Sequence, residues 1–334
     1  MSSIKVKKST MVCPAKVTPK GSLWLSKIDM IIRTPYSHTN VLLFYPPNNN
    51  KPFDPNIFKE ALSKALVPFY PMAGRLKFNH ENGRYEIDCN AKGALFIDCN
   101  ATRLKLSFGT SSMSHPYQQP SVPFISQQVN TLKLQVKSQQ EVTNYKLSTF
   151  EVQAGHVWRS VCMARGLAND QDVKLYIVVN GRSRMKEMGL PKGYCGNIHL
   201  YATCLEKAGD IKCKPLRYTA CKIHEGHKPL RVKNERNGTT KKFDDIEYIK
   251  SAIDYLNHVL IFAINSWASL PLYEGDFGWG GPTFTRINAI KYEGKSYITP
   301  SSNRDGSFSV TLKLFSTHKE AFKEYFYNII SSKY

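Results

Sequence analysis

No stretch of this sequence approaches the ~20 consecutive apolar residues that a membrane-spanning helix needs. The best apolar run, Val259 to Ile264, is core-sized. Residues 1–20 are polar and basic without an apolar run, so no secretory signal is expected. Acidic residues are scarce: 26 Asp and Glu stand against 46 Lys and Arg, a formal net charge of +20. Such an excess suits an anionic ligand and could also suit nucleic acid. The basic residues are scattered, however, and the densest clusters, Lys5 to Lys8 and Arg231 to Lys242, are short. No RNA-recognition motif, C2H2 spacing or basic-region heptad occurs, so neither a nucleic-acid nor a membrane partner is expected. The 8 cysteines lack regular spacing, which points to free thiols in a cytoplasmic protein and not to a disulfide framework. Cys213, Cys221, His224 and His227 are zinc-ligand types, but their spacing fits no common structural zinc site and no metal is expected. A Gly-x-Ser-x-Gly elbow, a Walker loop and internal repeats are missing as well.

What is present describes a packed α/β protein. The chain has 334 residues, 42% hydrophobic and 12% aromatic, which is long enough for two domains. Asp54-Pro55 reads as an N-cap with proline at the first helical position. Ile57, Phe58, Ala61, Leu62, Ala65 and Leu66 follow at three- and four-residue spacing, predicting a helix clamped onto a core. Before it, Val41 to Pro47 is a continuous apolar run stopped by prolines, as a buried strand would be. Tyr85 to Cys89 alternates as a strand. Ser107 to Pro123, rich in Ser, Gln and Pro without a period, reads as a linker. Gly155 to Leu167 predicts a helix with Gly166 as its C-terminal cap, and Val173 to Val179 a strand. Asp244 to Leu260 has helical period with acids in its first turn. Phe308, Val310, Leu312 and Leu314 alternate with polar residues, predicting a half-buried strand. Ala321, Phe322, Tyr325, Phe326, Ile329 and Ile330 predict a closing helix.

Three runs carry more than pattern. The first is Asp276-Phe277-Gly278-Trp279-Gly280, followed by Gly281-Pro282, in which glycines let the backbone turn and two rings anchor it. The second is Leu62-Ser63-Lys64-Ala65-Leu66-Val67-Pro68-Phe69-Tyr70-Pro71-Met72-Ala73-Gly74-Arg75-Leu76. The third is Gly193-Tyr194-Cys195-Gly196-Asn197. Together they resemble the plant BAHD acyltransferases, nearest to the hydroxycinnamoyl transferases of the shikimate and quinate class. In the third run Cys195 stands where that family has phenylalanine.

The resemblance implies a two-domain, chloramphenicol acetyltransferase-like α/β fold. It also implies an O-acyltransferase lineage that moves a hydroxycinnamoyl or similar acyl group from an acyl-CoA co-substrate to a hydroxyl acceptor, with no bound cofactor. The family's base is the histidine of a His-x-x-x-Asp motif, and here that motif is missing. Four residues beyond His38, His80, His115, His156, His199, His224, His227, His258 and His318 stand Leu42, Arg84, Gln119, Ser160, Thr203, Lys228, Arg231, Phe262 and Phe322. No residue inherits the catalytic role, and His38 and His156 have ordinary structural readings. An internal block is therefore expected to be absent. The expected organisation is a truncated N-terminal domain (1–110), a crossover (111–125) and a C-terminal domain (126–334).

By the resemblance, Asp276 pairs with Arg182 or Arg184 in a structural role beside the solvent channel, shared with Phe277, Gly278, Trp279 and Gly280. Acceptor contacts look altered: Gly281 replaces a basic residue, and Val41 and Leu43 replace small or hydroxyl side chains. Impaired turnover is the expectation, with a non-catalytic relic or a protein binding CoA or a phenolic ligand as the alternative. A monomer is expected, although surface bared by the lost block could drive association.

Overall fold

A computed structural model describes residues 3–25, 29, 39–47, 53–102, 117–118, 121–139, 145–182, 194–227, 262–288, 290, 292–303 and 305–328. The expected helix over 244–260, the basic cluster over 231–242, and residues His38, Arg184, Ile329 and Ile330 lie outside them. In chain order the first elements are β1 (Ser3–Val12), β2 (Ser22–Trp24), β3 (Asn40–Phe44) and α1 (Pro55–Ala65). Next come β4 (Arg75–Asn79), β5 (Arg84–Asp88), β6 (Ala94–Thr102), β7 (Tyr117–Gln118) and β8 (Ser121–Phe124). Then follow α2 (Ser126–Ser138), α3 (Thr149–Ala164), β9 (Asp172–Asn180), β10 (His199–Lys207), α4 (Ala208–Cys213) and α5 (Leu216–His227). The chain closes with β11 (Phe262–Ser266), β12 (Phe284–Asn288), β13 (Lys295–Pro300), β14 (Phe308–Leu312), β15 (Leu314–Phe315) and α6 (Lys319–Tyr327).

A mixed sheet in the order β10-β9-β11-β13-β14-β8 organises the C-terminal half. Its centre is parallel, β9 to β11 to β13, and its outer strands are antiparallel. One face packs against the helices, and α3 lies at the middle of that layer. Ser148 caps α3 through its hydroxyl while Glu151 reaches back to the Ser148 amide, a reciprocal box. Val152, Val157, Trp158 and Val161 are all buried, so α3 is enclosed nearly all round and its sequence shows only a weak stripe. The large core cluster runs from Val122 to Phe326.

The N-terminal half forms the same kinds of element and buries far less. Asp54 accepts the Asn56 amide at 2.8 Å and Pro55 opens α1, as the cap predicts. None of the helix's residues is fully buried, however, and Ile57 is 40% exposed. Instead of a core, α1 rests on a set of aromatic rings described below. The strand expected within Val41 to Pro47 forms as β3 but is not buried; Leu43 is 44% exposed. The reason is topological: β3 pairs only with β12, in a ribbon of two strands.

Two smaller departures have local causes. The last residues of the expected linker are β8, the edge strand of the large sheet, with Val122 and Phe124 buried. Four residues are too few to show a period, and Pro123 is tolerated because an edge strand need not donate from both sides. Strand β14 is buried on both faces, not one, since Thr311 on the polar face is covered and shares a hydrogen bond with Ser121 at 3.2 Å.

Candidate functional site

Residues 267–283 connect β11 of the large sheet to β12, which pairs with β3 of the N-terminal half. The Asp-Phe-Gly-Trp-Gly run therefore sits on a bridge between the halves. Gly278 and Gly280 have φ of +93° and +91°, a region where a side chain would be strained. The Asp276 carboxylate accepts the amides of Gly278 at 2.7 Å and Gly280 at 3.0 Å. The acid that opens the loop thus closes it, as short polar side chains do in turns.

The two rings point to the N-terminal half. Phe58 of α1 lies 4.1 Å from Phe277 and stacks on Trp279 at 5.2 Å, centroid to centroid. Phe53, just before α1, stacks on Trp279 at 5.7 Å. Tyr45, just after β3, meets Phe277 edge-on at 6.1 Å, and its hydroxyl donates to the Gly275 carbonyl at 2.9 Å. Partial burial, with the Asp276 charge nearby, raises the Tyr45 pKa. Such ring pairs add ~0.5–1.5 kcal/mol each beyond area. Phe53 and Tyr45 were missed in the sequence because nothing in their spacing links them to a loop more than 200 residues on.

Asp276 was expected to pair with Arg182 or Arg184; Arg184 lies outside the described residues, and among these the salt bridges do not join Arg182 to Asp276. Arg182 follows β9, and its guanidinium donates to the carbonyls of Tyr194 (3.4 Å) and Gly196. With its donors used there, and the Asp276 carboxylate taken by its own turn, the two have no call on each other. Arg182 belongs to a second cluster that sequence reasoning missed. Buried Asp29 accepts the Tyr194 hydroxyl and the Asn197 amide, fastening the Tyr-Cys-Gly-Asn turn to the N-terminal half. The only local signal is an acid that closes the segment Leu23 to Ile28, whose apolar residues are interrupted by Ser26 and Lys27. Burial pushes the Cys195 thiol up, and burial beside Arg182 and Lys295 holds the His199 imidazole below its ordinary value.

His156 is held as a core residue. Its Nε2 donates to the Phe326 carbonyl at 2.8 Å, and its ring lies among those of Phe124 and Phe326. Burial pushes its pKa down to about 4. His224, one of the zinc-ligand types, instead approaches Glu151 at 2.9 Å and stacks on Tyr145 at 4.6 Å. Among the described residues no group of three or more His, Cys, Asp and Glu could hold a metal, and no helix is long and apolar enough to cross a membrane. All 8 cysteines are free. Val41 and Leu43 lie on exposed β3. At Gly281 a side chain would meet the Tyr273 carbonyl oxygen at 2.6 Å, so the loop as built excludes a basic residue there. The arrangement fastens the loop to the N-terminal half.

These features define a two-half α/β acyltransferase fold. The solved structure of vinorine synthase matches over 96% of this chain and 96% of its own, with a TM-score of 0.70 at 15% identity. The Transferase family model matches residues 2–112 and 117–329, and the chain belongs to this family, the BAHD acyltransferases. Anthranilate N-benzoyltransferase protein 2 of Dianthus caryophyllus is 36% identical across 98% of this chain and 100% of its own length. Shikimate O-hydroxycinnamoyltransferase of Nicotiana tabacum is 33% identical across 97% and 99%. The first of these alignments has 464 positions against 334 residues here, so at least 130 positions have no counterpart in this chain. The family match breaks only at 113–116, within the crossover expected at 111–125.

Proposed function

We propose that this chain, of hydroxycinnamoyl- or benzoyl-transferring lineage, still takes acyl-CoA but turns it over poorly or not at all. One observation carries the reading: 36% identity runs across 98% of the chain, while at least 130 aligned positions are gone and no His-x-x-x-Asp remains. A general base contributes ~10²–10⁴ in rate, so its loss alone moves turnover close to background. The truncated first domain (1–110), the crossover and the second domain (126–334) belong to the same proposal, as do small-molecule partners. A cytosolic location is part of the same reading, and 8 free thiols support it. The acceptor is a hydroxyl compound, and the relatives' names add an aromatic amine such as anthranilate as a second class to test. Altered positions Val41, Leu43 and Gly281 argue against shikimate.

The test is a turnover assay on monodisperse protein with p-coumaroyl-CoA and benzoyl-CoA, offered shikimate, anthranilate and a panel of alcohols. Product is read by mass, with calorimetric titration of coenzyme A alongside. Binding with product at or near background is the expected result. Ester or amide formation at the rate of an intact relative would overturn the impaired reading. Absence of coenzyme A binding by folded protein would overturn the retained ligand and leave a relic.

A further inference from the structure

The large sheet has two unlike faces. Leu175, Ile177, Phe262 and Ile264 belong to the core that includes the helices, and their face is hydrocarbon. The residues between them in the strands point the other way. There the register sets Tyr176, Ala263 and Lys295 in one row across the sheet, and Tyr201, Val178, Asn265 and Tyr297 in the next. These rows carry hydroxyls, an amide and an ammonium. The N-terminal half meets this face, since the Thr39 hydroxyl lies 3.1 Å from that of Tyr297. Lys295 is half-buried, and its Nζ stands 5.4 Å over the Tyr297 ring. Among the described residues no salt bridge engages it. His199 is close by: burial, with the charges of Arg182 and Lys295, holds its imidazole below the ordinary value and leaves it neutral.

We propose that Lys295 anchors the carboxylate of a small aromatic acid whose ring lies along the tyrosines of this face. A half-buried ammonium without an acid beside it has donors to offer an anion. Its place over Tyr297 sets that anion among rings and hydroxyls, which suits a planar ring bearing one negative charge. A phosphate is a poorer match, because phosphates gather on glycine-rich turns and helix N-termini, and these two rows are strand throughout. The signature loop supplies no rival cation, since a side chain at Gly281 would meet the Tyr273 carbonyl. The inference rests on the proposed acceptor, a hydroxyl compound or an aromatic amine, and adds that this compound is an acid. Lys295 acts here on specificity, by holding the ligand's charge.

The experiment is calorimetric titration of the full chain with anthranilate and, separately, with its neutral amide, anthranilamide. Wild type is compared with Lys295→Met and Lys295→Arg, and circular dichroism checks each fold. Lys174→Met is the control, a second lysine of this sheet that stands 4.9 Å over the Tyr176 ring. Wild type should prefer the acid to the amide by ~10- to 100-fold, the span of one charge-assisted hydrogen bond. Lys295→Met should lose that preference, while Lys295→Arg and Lys174→Met keep most of it. Coenzyme A is titrated alongside and should bind wild type and Lys295→Met alike. Its failure to bind any of the proteins counts against the acyl-CoA reading and leaves the comparison of acid with amide to decide this one. Equal affinity for acid and amide in wild type overturns the proposal without recourse to a variant. So does a wild type that takes up neither compound, a Lys295→Met protein that still prefers the acid, or one that loses coenzyme A while keeping the acid.

Discussion

Replacing Phe58 with alanine tests whether α1 is held by rings and by little else. Phe58 touches Phe277 at 4.1 Å and Trp279 at 5.2 Å, and it also meets Phe53 at 5.5 Å. The helix's other ties are thin: Ser63 bonds the Cys13 carbonyl at 2.8 Å and its own carbonyl takes the Ala15 amide at 2.9 Å. Truncating a fully buried phenylalanine costs ~3–5 kcal/mol. Phe58 is half-buried, which brings the burial part to ~2 kcal/mol, and the lost ring pairs add ~0.5–1.5 kcal/mol. The sum, ~2–4 kcal/mol, falls on a local opening and not on the C-terminal core, whose contacts Phe58 does not share. Amide exchange over residues 55–65 should then quicken roughly 30- to 1000-fold, at 1.36 kcal/mol per decade, while exchange in α3 stays unchanged. Ile57→Ala, at a position 40% exposed, should change exchange little. Unaltered exchange in α1, or equal acceleration in α3, would refute the reasoning.

Three further outcomes follow from the geometry. In a double-mutant cycle of Asp276→Ala and Arg182→Ala the stability effects should add within ~0.5 kcal/mol, since the two groups have separate partners; a coupling well above that restores the ion pair. His156, held neutral by burial with a pKa near 4 against an ordinary 6.5, contributes stability that is complete above pH 6.5 and lost as pH falls through 4. Denaturant titrations of wild type should lose up to ~3 kcal/mol across that window, and His156→Gln should flatten the slope. An identical slope in both proteins contradicts the assignment. Arg165 and Glu293 form a pair at 2.7 Å, 6% and 10% exposed, so Arg165→Ala should cost ~3–5 kcal/mol while the joint Arg165→Met, Glu293→Leu change costs less. A single variant milder than the double one, measured by urea melts, would count against that.

Local chemistry made much of the fold legible. The Asp54-Pro55 cap, the Gly166 stop and the glycines of the signature loop depend only on neighbours in the chain, and each does what its residue types dictate. The partners of the loop were not legible. Phe277 and Trp279 could be read as anchors, but what they anchor to, Phe53, Phe58 and Tyr45, is set by how two halves meet. Asp29 and Tyr194, 165 residues apart, pose the same difficulty. Arg182, one of the two partners expected for Asp276, is engaged elsewhere for a related reason. A motif transfers residue types, while the pairing of charges depends on which carbonyls and amides reach them first.

The mismatch between pattern and burial carries the remaining information. In the C-terminal half, apolar periodicity and burial agree: the faces of α3, β9 and β14 that read as apolar are covered. In the N-terminal half they disagree, and always in one direction. Helix α1, strand β3 and the β1–β6 ribbon all form with apolar faces in water. Burial of such faces is worth ~25 cal/mol per Å², so a sequence that keeps the pattern without the cover is strained toward finding one. Random wear would erode the pattern itself, trading exposed leucine and isoleucine for polar residues. Here the pattern is intact, while at least 130 positions of the 464-position alignment with a relative have no counterpart in the chain. That combination fits a shortened acyltransferase sequence better than gradual loss of its apolar positions.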